Sequence, residues 1–483
     1  MIRSTSAANA ASTGRSKGVL NIVIVMFRKF DLAQNARQCK PVAPRLRKRG
    51  CYTLQRIPGN LLREATVEKK TIVRPGRTVQ EKRKFQMPVS GLKIGMYVSE
   101  LDRPWLETPF ILQGFAIRSL EDIEEISKYC EWVWVEQDED TWQAAEERTQ
   151  LNSSFKRGPA YANNVSARQE IGHAQTAHTT ARALTRTFMD DVRLGRAIDI
   201  REVKASVSDC VKSILRNPDA LMWMSKLRSK DEYTSEHSLN VGLLAITFGR
   251  YMGASEEDLN KLGFAGMLHD IGKMRTPLEI LNKDGALDEK EFRIMKSHPQ
   301  DGRDILLSHK NMYHGAVDVA YGHHEALNGS GYPRGIKSGG ITDFTRIITL
   351  CDVYDAITSD RVYRRGASSL NALRILHDAR DTKFDAKLAE EFIECIGLYP
   401  PGSVVELHSG EIGLVISTNH RHRHLPKVLI VRDADKQPAQ ERVINLEKMA
   451  ADAQTASLIK SVLPNGSHGV RIEKYVERGL TID

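Results

Sequence analysis

Hydrophobic residues recur at helical spacing through the central part of the chain, from residue 166 to residue 400. In the segment 202–217 the apolar positions fall on one stripe, as in an amphipathic helix: Val203, Val207, Val211, Ile214 and Leu215. The helical pattern continues over 231–400, where a glycine-rich loop at 328–340 interrupts it. The sequence therefore predicts a mainly α fold with an all-helical central domain.

Patterns typical of β-strands lie on both sides of this helical region. Apolar runs broken by glycine and proline begin at residue 85, a helix is predicted at 119–130, and the stretch 131–137 alternates like a strand. Short strand patterns around turns return after residue 403. We therefore divide the chain into a basic extension at 1–84, a small α+β module at 85–140, a linker at 141–165, a helical domain at 166–402 and a β-rich segment at 403–483.

Positive charge is concentrated at the amino terminus. The formal net charge is +9, but residues 1–84 hold 20 Lys and Arg against 4 Asp and Glu, so the remaining 399 residues carry −7. A mildly acidic folded region gives no reason to expect a nucleic-acid polymer as a partner. We predict that residues 1–84 have no fold of their own. Their composition leaves open a targeting peptide, or a contact with nucleic acid or an anionic membrane.

Neither the apolar runs nor the cysteines indicate a membrane-spanning or secreted protein. The longest apolar run, at 19–27, is much shorter than the roughly 20 residues that a helix needs to cross a bilayer. The six cysteines form no CxxC pair and no dense framework, which is typical of reduced thiols. We therefore predict a cytoplasmic protein without a membrane span.

Histidine and aspartate residues cluster in short fragments of the helical region. These are YTSEHS at 233–238, HDIGK at 269–273, KSHPQDG at 296–302, HHEALNGSGYP at 323–333 and TLCDVYDA at 349–356. Together they supply His237, His269, Asp270, His298, His323, His324 and Asp352. Imidazoles and carboxylates bind divalent transition metals. The cluster predicts a site for two metals, an arrangement that hydrolyses phosphoesters.

The local patterns place these side chains on helices or at their ends. His237 lies on the apolar face of its helix and is expected to point into the core. We predict that the helix carrying His269 and Asp270 ends at Gly272. A carboxylate has two oxygens, so Asp270 can bridge two metals where an imidazole cannot. Asp352 lies in an apolar helix, where a metal would remove the cost of an unpaired buried carboxylate.

The strings HDIGK, HHEALNGSGYP and DVYDAITSDRVYR (352–364) resemble the HD-GYP phosphodiesterases of bacterial cyclic di-GMP signalling, over roughly 225–402. The segment 85–140 resembles the small amino-terminal module of one branch of that family. The resemblance implies one metal held by His237, His269, Asp270 and Asp352, and another held by Asp270, His298, His323 and His324. Members with a third metal use a Glu four residues before the first His, where this chain has Tyr233, so the resemblance favours two. Iron is the first expected metal and manganese the next.

The resemblance further implies a phosphodiesterase that hydrolyses cyclic di-GMP to pGpG, to GMP, or to both. Asp270 and Lys273 would be catalytic, with Lys273 contacting a phosphate oxygen or assisting the leaving group. The residues expected to meet the substrate are Gly331, Tyr332, Pro333, Arg361 and Arg364. Asp301 and Glu325 would orient imidazoles.

Other functions stay open at this point. The chain could be a cyclic di-GMP receptor without activity, or it could dock onto GGDEF-domain diguanylate cyclases through the loop at 331–333. A nucleotide hydrolase acting on ppGpp or dNTPs is a third class, against which that loop argues. No expected ligand is missing, which favours the enzyme. A homodimer is compatible with the sequence.

Overall fold

The computed structural model describes the chain from residue 83 onward, with gaps. The described residues are 83–94, 96–103, 108, 110, 114–117, 120–137, 157–227, 233–310, 312–359, 366–419, 422, 424–453 and 458–477. The predicted basic extension at 1–84 lies almost entirely outside them.

Most of the described chain forms a helical domain. Its helices are α2 (Ala167–Arg193), α3 (Ile200–Arg216), α4 (Pro218–Met224), α5 (Tyr233–Tyr251), α6 (Glu256–Leu268), α7 (Leu278–Leu281), α8 (Glu289–Met295), α9 (His298–Leu307), α10 (His314–Gly322), α11 (Asp343–Thr358), α12 (Ser369–Asp378) and α13 (Ala386–Ile396). Short 3₁₀ helices at Ile271–Arg275 and Ser338–Gly340 interrupt the connections. One further helix, α1 (Leu120–Ser127), belongs to the module that precedes this domain.

Helices α5 and α6 form the centre of the helical domain. Every residue of α5 from 235 to 250 is buried, which is why its sequence shows little polar face. The two helices approach closely where glycines meet, because a Cβ on Gly266 would lie 2.8 Å from the Cα of Gly242. This close approach brings the start of α5, which carries His237, and the end of α6, which His269 follows, to one side of the core.

Residues 157–165 are bound to the helical domain, although the sequence assigns them to a linker. Gly158 donates its N–H to the carbonyl of Gly253 at 2.8 Å, and the Tyr161 hydroxyl donates to the carbonyl of Ala254 at 2.9 Å. Arg250 donates to the carbonyl of Ala162 at 2.9 Å. Two of these contacts satisfy carbonyl groups in the turn between α5 and α6, and the linker at 141–165 stays a prediction. The rest of the linker, up to residue 156, lies outside the described residues.

A small antiparallel sheet and α1 form the amino-terminal module. Its strands are β1 (Arg83–Pro88), β2 (Tyr97–Leu101), β3 (Phe115–Ala116) and β4 (Trp132–Gln137), in the order β1-β4-β2-β3. Val98, Val133 and Val135 on the strands pack with Ile117 and Ile126 in one core. Strand β1 begins at Arg83, so the predicted start of the module at 85 falls inside a strand.

A second antiparallel sheet follows the helical domain. Its strands are β5 (Val404–Leu407), β6 (Ile412–Ser417), β7 (Lys427–Arg432), β8 (Pro438–Asn445) and β9 (Ile459–Leu463), in the order β8-β7-β6-β5-β9, with α14 (Leu446–Ala453) and α15 (Ile472–Glu477). The Trp223 indole donates to the carbonyl of Ile416 at 3.1 Å and Asp219 accepts from Thr418, which ties the sheet to α4.

The predicted fold class is confirmed: the described chain is mainly helical, with one small sheet before the helical domain and one after it. Among the described helices, none combines the length and the apolar character that crossing a membrane requires.

Candidate metal centre

The predicted ligands lie on several helices or at their ends, and these helices meet at the buried start of α5. His237 lies in the second turn of α5, and Asp352 lies in the middle of α11. His298 is the first residue of α9, and His323 follows the last residue of α10. Each of these side chains is at least nine-tenths buried.

His269 and Asp270 lie just beyond the end of α6. The helix ends at Leu268 and His269 is its C-cap, so the prediction that the helix continues to Gly272 was wrong. The chain turns into a 3₁₀ helix here because it passes against the start of α9: a Cβ on Gly272 would collide with the carbonyl of His298. Only glycine allows this approach, which places Asp270 beside His298.

The structure brings the predicted ligand side chains together as two groups. In one group Asp270, His298, His323 and His324 each offer an atom, and these atoms lie within 4.8 Å of one another. In the other group His237, His269 and Asp352 meet the same limit. The first group has the same four residues as one ligand set that the family resemblance implies, and the second lacks only Asp270 from the other set.

Asp270 lies between the two groups, with one oxygen toward each. Its Oδ1 is 3.3 Å from Nε2 of His298 and 3.5 Å from Nε2 of His323. Its Oδ2 is 3.3 Å from Nε2 of His269 and 3.6 Å from Nε2 of His237. A carboxylate in this position can bind a cation in each group at the same time.

Backbone carbonyls orient three of the imidazoles. Nδ1 of His269 lies 2.7 Å from the carbonyl of Gly266, and Nδ1 of His298 lies 2.7 Å from that of Met295. Nδ1 of His323 lies 3.0 Å from the carbonyl of Ala320. A carbonyl only accepts, so each Nδ1 carries the proton and each Nε2 presents a lone pair toward Asp270.

His237 is oriented by a carboxylate that sequence reasoning did not assign to the site. Oδ2 of Asp355 lies 2.8 Å from Nδ1 of His237 and also accepts from the Ser359 hydroxyl at 2.9 Å. Asp355 follows Asp352 by three positions, which puts both carboxylates on one face of α11. That spacing in DVYDA was the signal available in the sequence.

The charges and polar atoms of this site suit a cation. Burial opposes ionisation of Asp270, but Lys273, His269 and His298 lower its pKa well below the ordinary value. Burial, followed by the proximity of the His323 and His298 imidazoles, lowers the pKa of His324 well below its usual range, so this imidazole is neutral. Nε2 of His269 and Oδ1 of Asp270 are buried and have no hydrogen-bond partner among the described residues. A bound metal would satisfy both atoms.

Lys273 is in direct contact with the bridging carboxylate. Its Nζ contacts Oδ2 of Asp270. Burial opposes the charge on Lys273, but Asp270 and Asp352 raise its pKa above the ordinary value. The ammonium therefore lies beside the two groups of predicted ligands.

The glycine-rich segment 328–337, called here the GYP loop, folds back over the second group. Asn328 and Lys337 pair across its base. The Tyr332 ring stacks on the His324 ring with centroids 4.7 Å apart and a 26° angle between the planes. A Cβ on Gly331 would lie 2.5 Å from the carbonyl oxygen of His324, so the loop requires glycine there. Pro333 follows Tyr332 through a cis peptide bond.

Glu325 accepts hydrogen bonds from backbone N–H groups of the GYP loop rather than from an imidazole. Its Oε1 accepts the N–H of Arg334 at 2.8 Å, and its Oε2 accepts that of Ile336 at 3.1 Å. Asp301 accepts from the Ser297 hydroxyl at 2.8 Å and lies 3.7 Å from Arg275. The hypothesis that these two carboxylates orient imidazoles was therefore wrong, because backbone carbonyls and Asp355 fill that role. Arg361 and Arg364 lie outside the described residues.

Two family models and several known phosphodiesterases are similar to parts of this chain. A family model described as an HD domain matches residues 221–388, and one described as a domain of unknown function (DUF3391) matches 84–203. A cyclic di-GMP phosphodiesterase of Pseudomonas aeruginosa is 35% identical over 368 residues, covering 75% of this chain and 88% of its own.

Two further relatives match a shorter part of the chain. A 3′3′-cGAMP-specific phosphodiesterase of Vibrio cholerae is 33% identical over 183 residues, or 38% of this chain and 40% of its own. The cyclic di-GMP phosphodiesterase response regulator RpfG of Xanthomonas campestris is 34% identical over 176 residues, or 35% of this chain and 46% of its own. The chain thus spans less than half the length of these two relatives.

Proposed function

The chain belongs to the HD-GYP family of cyclic di-GMP phosphodiesterases, and on this premise we propose that it hydrolyses cyclic di-GMP to linear pGpG, to GMP, or to both in sequence. The observation that carries the proposal is the position of Asp270, whose two oxygens face separate groups of imidazole nitrogens. A single carboxylate shared in this way is suited to a pair of cations.

We propose that two divalent metals bind here, and that iron is the first choice and manganese the next. One would be held by His237, His269, Asp270 and Asp352, and the other by Asp270, His298, His323 and His324. Nitrogen and oxygen ligands suit both elements. When bound, such a pair supplies an activated water and neutralises the charge that develops on a phosphodiester.

The protein's own residues would bind and orient the substrate. Lys273, held at Asp270, is placed to contact a phosphate oxygen or to assist the leaving group. Arg361 and Arg364 remain predicted contacts for phosphates or guanine edges. Gly331 and Pro333 shape the loop that carries Tyr332 over His324.

Partners beyond the substrate are also proposals. Docking of GGDEF-domain diguanylate cyclases would use the GYP loop, part of which is exposed. A homodimer and a cytoplasmic location stay predictions from the sequence. A receptor without activity is the alternative reading, and it would bind cyclic di-GMP without releasing a product.

The test is metal analysis of anaerobically purified protein together with a turnover assay. We expect two metals per chain and release of pGpG or GMP, with slower turnover of 3′3′-cGAMP, the substrate that the name of the Vibrio relative gives. A metal content near three, or near zero in active protein, would overturn the two-metal proposal. Tight binding of cyclic di-GMP by metal-loaded protein without product would favour the receptor.

A further inference from the structure

Lys296 lies beside the aromatic ring that covers the second ligand group. It is the C-cap of α8 and precedes His298 by two residues. Its Nζ lies 4.8 Å from the ring centroid of Phe292 and 5.3 Å from that of Tyr332. Tyr332 in turn stacks on His324. Lys296, Tyr332 and His324 therefore form a column from the end of α8 to the candidate metal centre. We call Lys296, Tyr332 and His324 the rim column.

The rim column changes the role expected of Tyr332. The faces of its ring are already engaged by an imidazole and an ammonium, so the ring is poorly placed to stack on a guanine. A phenol offers no positive charge to an anion, whereas a lysine ammonium does. The charge that this side of the site offers to a ligand is therefore on Lys296.

A cyclic dinucleotide carries two phosphodiesters in one covalent ring. When one phosphodiester lies at the two groups of predicted ligands, where Lys273 contacts Asp270, the covalent ring keeps the other phosphodiester near the same site. A second anion near a buried site needs a cation, and a lysine ammonium can meet phosphate oxygens from several directions. Resting on the proposed function, we propose that Lys296 binds the second phosphodiester, the one that is not being cleaved.

The proposal separates two kinds of substrate. Bis(p-nitrophenyl) phosphate has one phosphodiester and no second anion, so its hydrolysis should not depend on Lys296. We expect Lys296→Gln to raise KM for cyclic di-GMP about tenfold, with kcat and metal content close to wild type, because one charge-assisted contact is lost. The same variant should hydrolyse bis(p-nitrophenyl) phosphate at the wild-type rate. Lys296→Arg keeps the charge and should restore most of the affinity.

Lys290→Gln is the matched control, because Lys290 is an exposed lysine on the same helix. It should leave both substrates unaffected. An unchanged KM for cyclic di-GMP in Lys296→Gln, or an equal loss with both substrates, would overturn the role of Lys296 alone. Wild-type protein that hydrolyses the simple diester but no cyclic dinucleotide would overturn the proposed function, and this proposal with it.

Discussion

Oδ2 of Asp355 lies 2.8 Å from Nδ1 of His237, although the two residues are 118 positions apart in the sequence. The Nε2 of the same ring lies 3.0 Å from Oδ1 of Asp352. The imidazole is thus fixed between two carboxylates of one helix, and the Nδ1 contact would leave Nε2 as the nitrogen that binds a metal.

Asp355→Asn should weaken metal binding or turnover by about 10- to 100-fold, because the amide is a weaker acceptor for the Nδ1 proton of His237. Metal titration and kcat/KM measure the two effects. Asp343→Asn, at the first turn of the same helix, is the control and should behave like wild type. If both variants keep wild-type affinity and rate, Asp355 has no role in orienting His237.

Asp270→Ala should abolish turnover and reduce metal occupancy at both positions. The substitution removes a ligand from each group and leaves the cations without the anion that separates them. Elemental analysis and a product assay check this outcome. Asp301→Ala should keep both metals and turnover, because that carboxylate contacts Ser297 and Arg275 instead. Wild-type rates in Asp270→Ala would refute the bridging role.

Glu325→Gln should loosen the GYP loop without removing the metals. Both carboxylate oxygens accept hydrogen bonds from backbone N–H groups. The side-chain amide of Gln would place its NH₂ group, itself a donor, opposite one of these N–H groups. A lost buried hydrogen bond costs about 1–3 kcal/mol, which corresponds to about 5- to 160-fold in kcat/KM if the loop must be ordered for binding. Steady-state kinetics on metal-loaded protein measure it, with the exposed Glu279→Gln as control. Loss of metal comparable to that of Asp270→Ala would show that Glu325 supports the ligands themselves.

Gly331→Ala should impair substrate handling while both metals stay bound. The new Cβ would press against backbone atoms of His324, Glu325 and Ala326, which cannot move aside as a flexible side chain can. The loop and its Tyr332 must therefore shift. Gly339→Ala is the matched control in the following turn, because no atom lies within 4 Å of its Cβ position. Equal kinetics of Gly331→Ala and Gly339→Ala with cyclic di-GMP would show that the close backbone contact at Gly331 does not affect activity.

Much of the fold and of the ligand set could be predicted from the sequence because the information is local. Helical spacing identified the core helices, and unbroken motifs supplied the seven predicted ligands, whose side chains the structure brings together. Partners separated by long distances could not be predicted this way. The spacing in DVYDA places Asp355 on the same helix face as Asp352, but it does not show that Asp355 reaches His237. Nor does it show that Glu325 binds loop amides nine and eleven positions later. The end of α6 was also misjudged, because close packing against α9 stops the helix before Gly272.

Removal of residues 1–81 should leave turnover unchanged. They hold none of the seven predicted ligands, and the excess of basic residues over 1–84 opposes compaction. The shortened chain must keep Arg83, where β1 begins. The competing idea is that the basic segment attracts the dianionic substrate, which would raise the association rate and would be screened by salt. Full-length and shortened protein should therefore be compared at low and at high ionic strength. Equal kcat and KM at both salts is the expected result. A difference confined to KM at low salt would indicate electrostatic recruitment, and a loss of kcat at every salt concentration would mean that part of this segment belongs to the catalytic fold.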